Sequence, residues 1–221
     1  MTIRAVLFDR DGVLTYFDVA AATAVLRPLL PISVYELAQH WQAWGTAVGF
    51  PTNLAQEEQF FGEFWDRLSV QFALSPGQRE QLRGFTYAAY VVGYPDAAPA
   101  LAALHARGLR IGVLSNFSLA SIDATLAAAG LAPWVDVALS ATMIGAAKPA
   151  PEAYWCALRA LQVEPEECLF FDDELPCVEG ARAIGLASYQ VDRSRDNPAV
   201  AAGVIRDLTA VAEVVARHRA A

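Results

Sequence analysis

Short apolar runs alternate along this chain with longer segments whose apolar residues recur every three or four positions, a pattern that predicts buried parallel strands separated by helices. The strands read as residues 5–8, 110–114, 135–139, 168–171 and 187–191. Helix ends are marked by caps and breakers. Asp96 fits an N-cap for a helix over 97–107 that Gly108 stops, and Ser118 precedes one closing at Gly130. Pro151 opens a third, and a fourth runs from near Glu174 to Gly185. Strands run directly into the polar residues Asp9, Ser115, Ser140 and Asp172. Ligands of open α/β sheets sit beyond the carboxyl ends of the strands, so this topology predicts that these residues converge on one rim.

The interval from Tyr16 to about Gly93 has a different pattern. It contains no convincing strand and reads as four helices over 19–30, 34–48, 55–72 and 76–90, separated by Pro, Gly and Asn. Trp41, Trp44, Phe60, Phe61, Phe64, Trp65 and Phe72 recur there at roughly helical spacing, as expected of a small bundle with its own core, a few of them available to line a pocket. The fold class expected is therefore α/β: a Rossmann-like parallel sheet with helices on both faces and an inserted helical segment. The core would be built from 1–15 and 94–221, and the insert from 16–93.

Composition narrows the partners. The 221 residues are 55% hydrophobic, carry a formal net charge of −8 and have a pI near 4.8, which excludes nucleic acid or an anionic membrane held by charge alone. Any phosphate must be gripped locally. Cys156, Cys168 and Cys177 form no CxxC pair and are odd in number, which fits a reducing cytoplasm. Met1 leads straight into an apolar stretch without a signal pattern, and no apolar run reaches membrane-spanning length. Fifteen arginines accompany a single lysine, Lys148. A cramped site that needs a compact point charge rather than a planar fork would explain that exception.

Four clusters can carry chemistry. In Asp9-Arg10-Asp11-Gly12, alternation along an extended chain would point both carboxylates to one side and Arg10 away, with Gly12 permitting a sharp departure. One carboxylate can then attack phosphorus while the other manages protons, although the tripeptide alone is equally an ordinary turn. Ser115-Asn116 offers a hydroxyl, an amide and backbone N–H groups for phosphoryl oxygens, or simply turn chemistry. Lys148, followed by Pro149, would offset charge on a nucleophile and a transferring phosphoryl group. In Asp172-Asp173-Glu174 an apolar strand runs into three acids. Mg²⁺ needs hard oxygen donors, one or two of them carboxylates, which Asp9 and Asp173 can supply; Glu174 fits a helix N-terminus.

The order of these clusters, each at a strand end, resembles the haloacid dehalogenase-like superfamily of hydrolases over essentially the whole chain. By that resemblance Asp9 is the nucleophile and Asp11 the acid/base. Ser115, Asn116 and Lys148 bind phosphate; Asp9, Asp173 and the Asp11 carbonyl hold Mg²⁺, with Asp172 behind them. The helical insert looks like the family's cap, hinged near Tyr16 and Gly93. Dehalogenating members lack the second aspartate, so Asp11 implies a phosphomonoesterase acting on a small phosphorylated metabolite. A sugar phosphomutase, a 2-haloacid dehalogenase and a non-catalytic binding protein are the alternatives. The chain departs from the family at Cys177, where Asp or Asn is often found; a thiol is a poor Mg²⁺ ligand and fits better as a buried small hydrophobe. Arg27, His40, Arg67, Arg79 and Arg83 are the basic groups of the insert, expected mostly as solvated surface charges. Neither the substrate nor the oligomeric state follows from the sequence.

Overall fold

Successive side chains of a strand face opposite sides, and here both sides are apolar: Val6 and Phe8 enter one core, Ala5 and Leu7 another. A sheet built from such strands needs helices on both faces. The computed structural model describes residues 2–196, 200 and 203–220; Met1 lies outside them. The chain runs through β1 (Ala5–Phe8), β2 (Thr15–Phe17), α1 (Val19–Leu26), α2 (Val34–Val48), α3 (Leu54–Gln71), α4 (Pro76–Arg83), β3 (Val91–Gly93), α5 (Ala97–His105) and β4 (Arg110–Ser115). It continues through α6 (Ile122–Ala128), β5 (Val137–Ser140), α7 (Ala141–Ile144), α8 (Pro151–Leu161), β6 (Cys168–Asp172), α9 (Leu175–Ala183), β7 (Ala187–Val191), β8 (Val204–Ile205) and α10 (Val211–Ala220).

Six strands form one parallel sheet in the order β5-β4-β1-β6-β7-β8. Leu101 and Leu104 of α5, Ile122 and Leu126 of α6 and Val211 and Val214 of α10 cover one face. Tyr154 and Leu158 of α8 and Ala181 of α9 cover the other. The register positions the chemistry. Phe8 lies beside Val113 on one side and Phe171 on the other, and the Asp9 N–H donates to the Phe171 carbonyl (2.8 Å). Asp9, Ser115 and Asp172 therefore emerge along one carboxyl edge, as the topology argument requires.

The insert forms a helical cap with its own core, in which Phe64, Trp65, Leu68 and Leu82 are buried and Trp41, Trp44, Phe61 and Phe72 pack around them. Ser33 with Glu36 and Ser75 with Gln78 form capping boxes, and Asn53 caps α3, so three helices begin where their polar residues predict. Two expected helices are shorter. α1 stops at Leu26, just ahead of Pro28, which has no N–H to continue the ladder. α4 stops at Arg83, and Tyr87–Tyr90 form a separate 3₁₀ turn.

The absence of strands from the insert is corrected at its two ends, where β2 pairs antiparallel with β3, Tyr16 opposite Val92 and Thr15 opposite Gly93. Three-residue strands are too short to display alternation, and their partners are distant in sequence. Asp96 occupies the N-cap position of α5 but makes no capping bond; its Oδ2 accepts instead from Arg193 and from the Leu208 N–H (2.7 Å). α6 starts at Ile122 rather than after Ser118, and β8 and α10 lie beyond any element the pattern predicts. No helix among the described residues is long and apolar enough to cross a membrane.

Candidate active site

All the site side chains except Lys148 lie at or just beyond a strand end. Asp9 follows β1 directly and is 7% exposed; Asp172 ends β6 and is fully buried; Ser115 ends β4, also buried. Lys148 lies in the loop between α7 and α8, and its Nζ donates to Asp9 Oδ1 (2.6 Å) and Asp172 Oδ2 (2.7 Å). The loop approaches the sheet closely because α9 carries Gly180, whose Cβ would fall 2.6 Å from the Pro149 carbonyl oxygen. Asn116 holds the lysine's backbone at both ends of its own amide: Nδ2 donates to the Lys148 carbonyl (2.9 Å), and Oδ1 accepts from the Lys148 N–H (2.8 Å). Ser115 Oγ accepts from the Phe117 N–H (3.2 Å).

Burial dominates the electrostatics. Desolvation lifts the Asp9 carboxyl to about 7, against the opposing pull of Lys148 and reinforced by Asp172. Asp173 rises to about 6, chiefly by burial, with Asp172 adding to it. Burial alone would lower the Lys148 ammonium, but its two carboxylate partners outweigh it and hold the group above its ordinary value. The only lysine of the chain is thus a buried point charge between two acids.

Asp9, Asp172 and Asp173 each offer a carboxylate oxygen within 4.8 Å of the others, a hard donor set suited to a divalent cation such as Mg²⁺. The space beside Asp173 exists only because Gly12, at φ +78°, has no side chain; a Cβ there would fall 2.3 Å from Asp173 Oδ2. Asp172 already has Oδ2 on Lys148 and Oδ1 on the Glu174 N–H (2.8 Å), which leaves Asp9 and Asp173 as the freer pair. Cys177 is buried, with Sγ donating to Glu174 Oε2 (3.3 Å), and burial pushes its thiol up.

The expectation that Arg10 points away from Asp11 fails. β1 ends at Phe8, the chain turns, and alternation no longer governs side-chain direction. Arg10 is fully buried, with Nη2 donating to Asp11 Oδ2 (2.5 Å) and Nε to Oδ1 (3.1 Å). Its Nη1 donates to Thr125 Oγ1 (3.0 Å), and its guanidinium lies 3.8 Å from the Phe117 ring centroid. Asp11 also accepts from Thr15 Oγ1 (3.2 Å). Two further residues were not evident from the sequence. Arg193, just past β7, donates to the Gly12 and Val13 carbonyls (3.1 and 2.6 Å) and stacks on Tyr94, clamping the turn after Asp11. Glu57 of α3 is buried and accepts from the Ala120 and Ser121 N–H groups (2.6 and 2.9 Å), joining cap to core. The strand-end rule points toward Arg193; no local signal marks Glu57. Arg79 and Arg83 of the cap pair with Asp66 at the surface.

Comparison with known proteins agrees with this arrangement. A family model described as haloacid dehalogenase-like hydrolase matches residues 3–185. A protein named phosphatase MT3486 from Mycobacterium tuberculosis (strain CDC 1551 / Oshkosh) is 42% identical over 97% of this chain and 98% of its own length. (S)-2-haloacid dehalogenase 1 of Pseudomonas sp. (strain CBS-3) is 30% identical over 86% of this chain and 85% of its own. Among solved structures, the 2-haloacid dehalogenase of Pseudomonas syringae pv. Tomato DC3000 shares the fold with a TM-score of 0.71 at 22% identity, covering 98% of this chain and 99% of that one. The length of the family match and the identity to full-length relatives place this chain among the haloacid dehalogenase-like hydrolases.

Proposed function

We propose that the protein is a Mg²⁺-dependent phosphomonoesterase acting on a small phosphorylated metabolite through an aspartyl-phosphate on Asp9. The observation that carries this reading is the pairing of a buried carboxylate, Asp9, held on one oxygen by Lys148, with a second carboxylate, Asp11, two residues on. Asp9 Oδ2 attacks phosphorus, the ester P–O bond breaks, and the departing oxygen takes a proton from Asp11. Water then attacks the acyl-phosphate, gives its proton to Asp11, and releases inorganic phosphate and free Asp9. Lys148 balances the charge gathering on the phosphoryl oxygens, and the Ser115 hydroxyl donates to one of them. Asn116 serves by fixing the Lys148 backbone.

Asp9, Asp173 and the Asp11 carbonyl, with Asp172 behind them, would hold Mg²⁺, which would supply Lewis-acid stabilisation of the phosphoryl oxygens. Arg10 orients the Asp11 carboxylate. The cap, taken as 16–93, turns about the β2–β3 ribbon at Tyr16 and Gly93 to admit substrate, and the remainder forms the core. All three cysteines are free, which supports a reducing, cytoplasmic setting.

A dehalogenase reading draws on the relatives that bear that name. Asp11 argues against it, since halide leaves without a proton. The deciding experiment follows phosphate release from a panel of phosphomonoesters, and halide release from a 2-haloacid, with Mg²⁺, with chelator and with Asp9→Asn. Mg²⁺-dependent phosphate release abolished by the substitution is expected. Halide release without phosphatase activity would replace this reading with the other.

A further inference from the structure

Outside the carboxylate cluster, an apolar hollow of about 380 Å³ lies between the cap and the loop after β4. Cap helices contribute Leu37, Trp41, Phe61 and Trp65, and none of the lining side chains is charged. The core contributes Phe117 and Leu119. This wall is continuous with the reaction machinery. Phe117 follows Ser115 by two residues and donates its N–H to that hydroxyl, while its ring carries the guanidinium of Arg10, which grips Asp11. Tyr87, also in the lining, stands 5.9 Å from the same guanidinium and stacks against Phe17, another lining residue. The group that protonates the leaving oxygen is therefore joined through a single buried arginine to an aromatic wall.

We propose that this hollow receives the leaving group, and that the preferred substrates are phosphomonoesters of apolar, ring-bearing alcohols with no second charge. The proposal rests on the phosphomonoesterase reading above. A hollow of this size suits a small organic body. Each methylene buried there contributes about fourfold in binding. A sugar hydroxyl or a carboxylate would leave water with no charged partner in the lining, and each such loss costs roughly tenfold or more. Together these effects separate a naphthylmethyl ester from a hexose phosphate by at least about a hundredfold. Two of the cap's basic groups, Arg79 and Arg83, are engaged by Asp66 at the surface.

The test has a kinetic arm and a binding arm. With Mg²⁺, kcat/KM is compared for 2-naphthylmethyl phosphate, benzyl phosphate, glycerol phosphate and glucose 6-phosphate, all alkyl esters. The expected order follows apolar area, with the naphthylmethyl ester at least a hundredfold above glucose 6-phosphate. Ala38→Trp, at an exposed position in the lining of the hollow, should lower the naphthylmethyl-to-glycerol ratio at least tenfold. In the binding arm, calorimetry with free 2-naphthalenemethanol and the Asp9→Asn protein should show saturable binding that Ala38→Trp weakens. Equal or inverted preference across the panel, or no binding of the alcohol, overturns the proposal. Alcohol binding with no phosphatase activity on any ester retains the hollow's apolar selectivity and removes the hydrolase reading on which its role as a leaving-group site depends.

Discussion

Removing the charge of Lys148 tests the electrostatic account of the site most directly. Lys148→Met keeps much of the stem but leaves Asp9 and Asp172, both buried, without the ammonium that each contacts within 2.7 Å. Breaking a buried pair by removing one partner destabilises a protein by about 3–5 kcal/mol, since the remaining charge is left uncompensated. The loss should depend on pH. The Asp9 carboxyl, already raised to about 7 with Lys148 present, moves higher without it. A carboxyl whose folded pKa lies above its unfolded value makes the folded state bind more protons, so stability falls as pH rises between those two values. Near pH 5 Asp9 is protonated in both proteins, and the variant loses mainly the Asp172 contact. Above pH 7 the variant alone continues to lose stability, by up to about 1.4 kcal/mol per pH unit for one proton. Urea denaturation followed by tryptophan fluorescence, metal-free, at pH 5.5 and 8.0 measures both quantities. The gap between wild type and variant should be about 3–5 kcal/mol at pH 8 and clearly smaller at pH 5.5. A gap under about 1 kcal/mol at pH 8, or one equal at both pH values, refutes the reasoning.

The wild-type protein makes a related prediction: with Asp9 raised to about 7 and Asp173 to about 6, metal-free stability should fall as pH rises from about 4 to 7, and saturating Mg²⁺ should flatten that fall in thermal melts. A pH-independent melt without metal would contradict it. Gly12→Ala should cost about 1–2 kcal/mol for the left-handed backbone and also displace Asp173, raising the Mg²⁺ concentration for half-maximal activity at least about tenfold; unchanged metal dependence would show that the space beside Asp173 is unimportant. Arg10→Lys replaces a two-pronged grip on Asp11 with a point charge, so kcat should fall about 10–100-fold with KM nearly unchanged, and a folded variant with wild-type kcat would remove Arg10 from the orientation of Asp11. Glu57→Gln weakens the acceptor of two backbone N–H groups and should cost about 1–3 kcal/mol in urea denaturation; no loss would mean that Glu57 does not join cap to core.

The sequence by itself determined the sheet, because strands buried on both faces must be apolar throughout and each ends abruptly in a polar residue. β1 and β7 coincide with the runs expected for them, and β4, β5 and β6 differ by one or two residues at an end. It also marked Asp9, Asp11, Ser115, Asn116, Asp172 and Asp173 as candidates, through residue type and position near strand ends, and Lys148 as the single lysine of the chain. Where those side chains point was a matter for the tertiary structure. Arg10 turns back onto Asp11 because the chain leaves the strand at Phe8 and a buried guanidinium must find a partner. Asn116 takes both of its bonds from Lys148, 32 residues away, and Arg193 reaches the turn at Gly12 from 181 residues away. Pairings of that range leave no periodicity in the sequence. The β2–β3 ribbon, the Glu57 link and the apolar hollow likewise exist only once cap and core are brought together. The residue types that can perform the chemistry are local properties of the chain; their partners, their protonation and the shape of what they act on are set by burial and long-range contact.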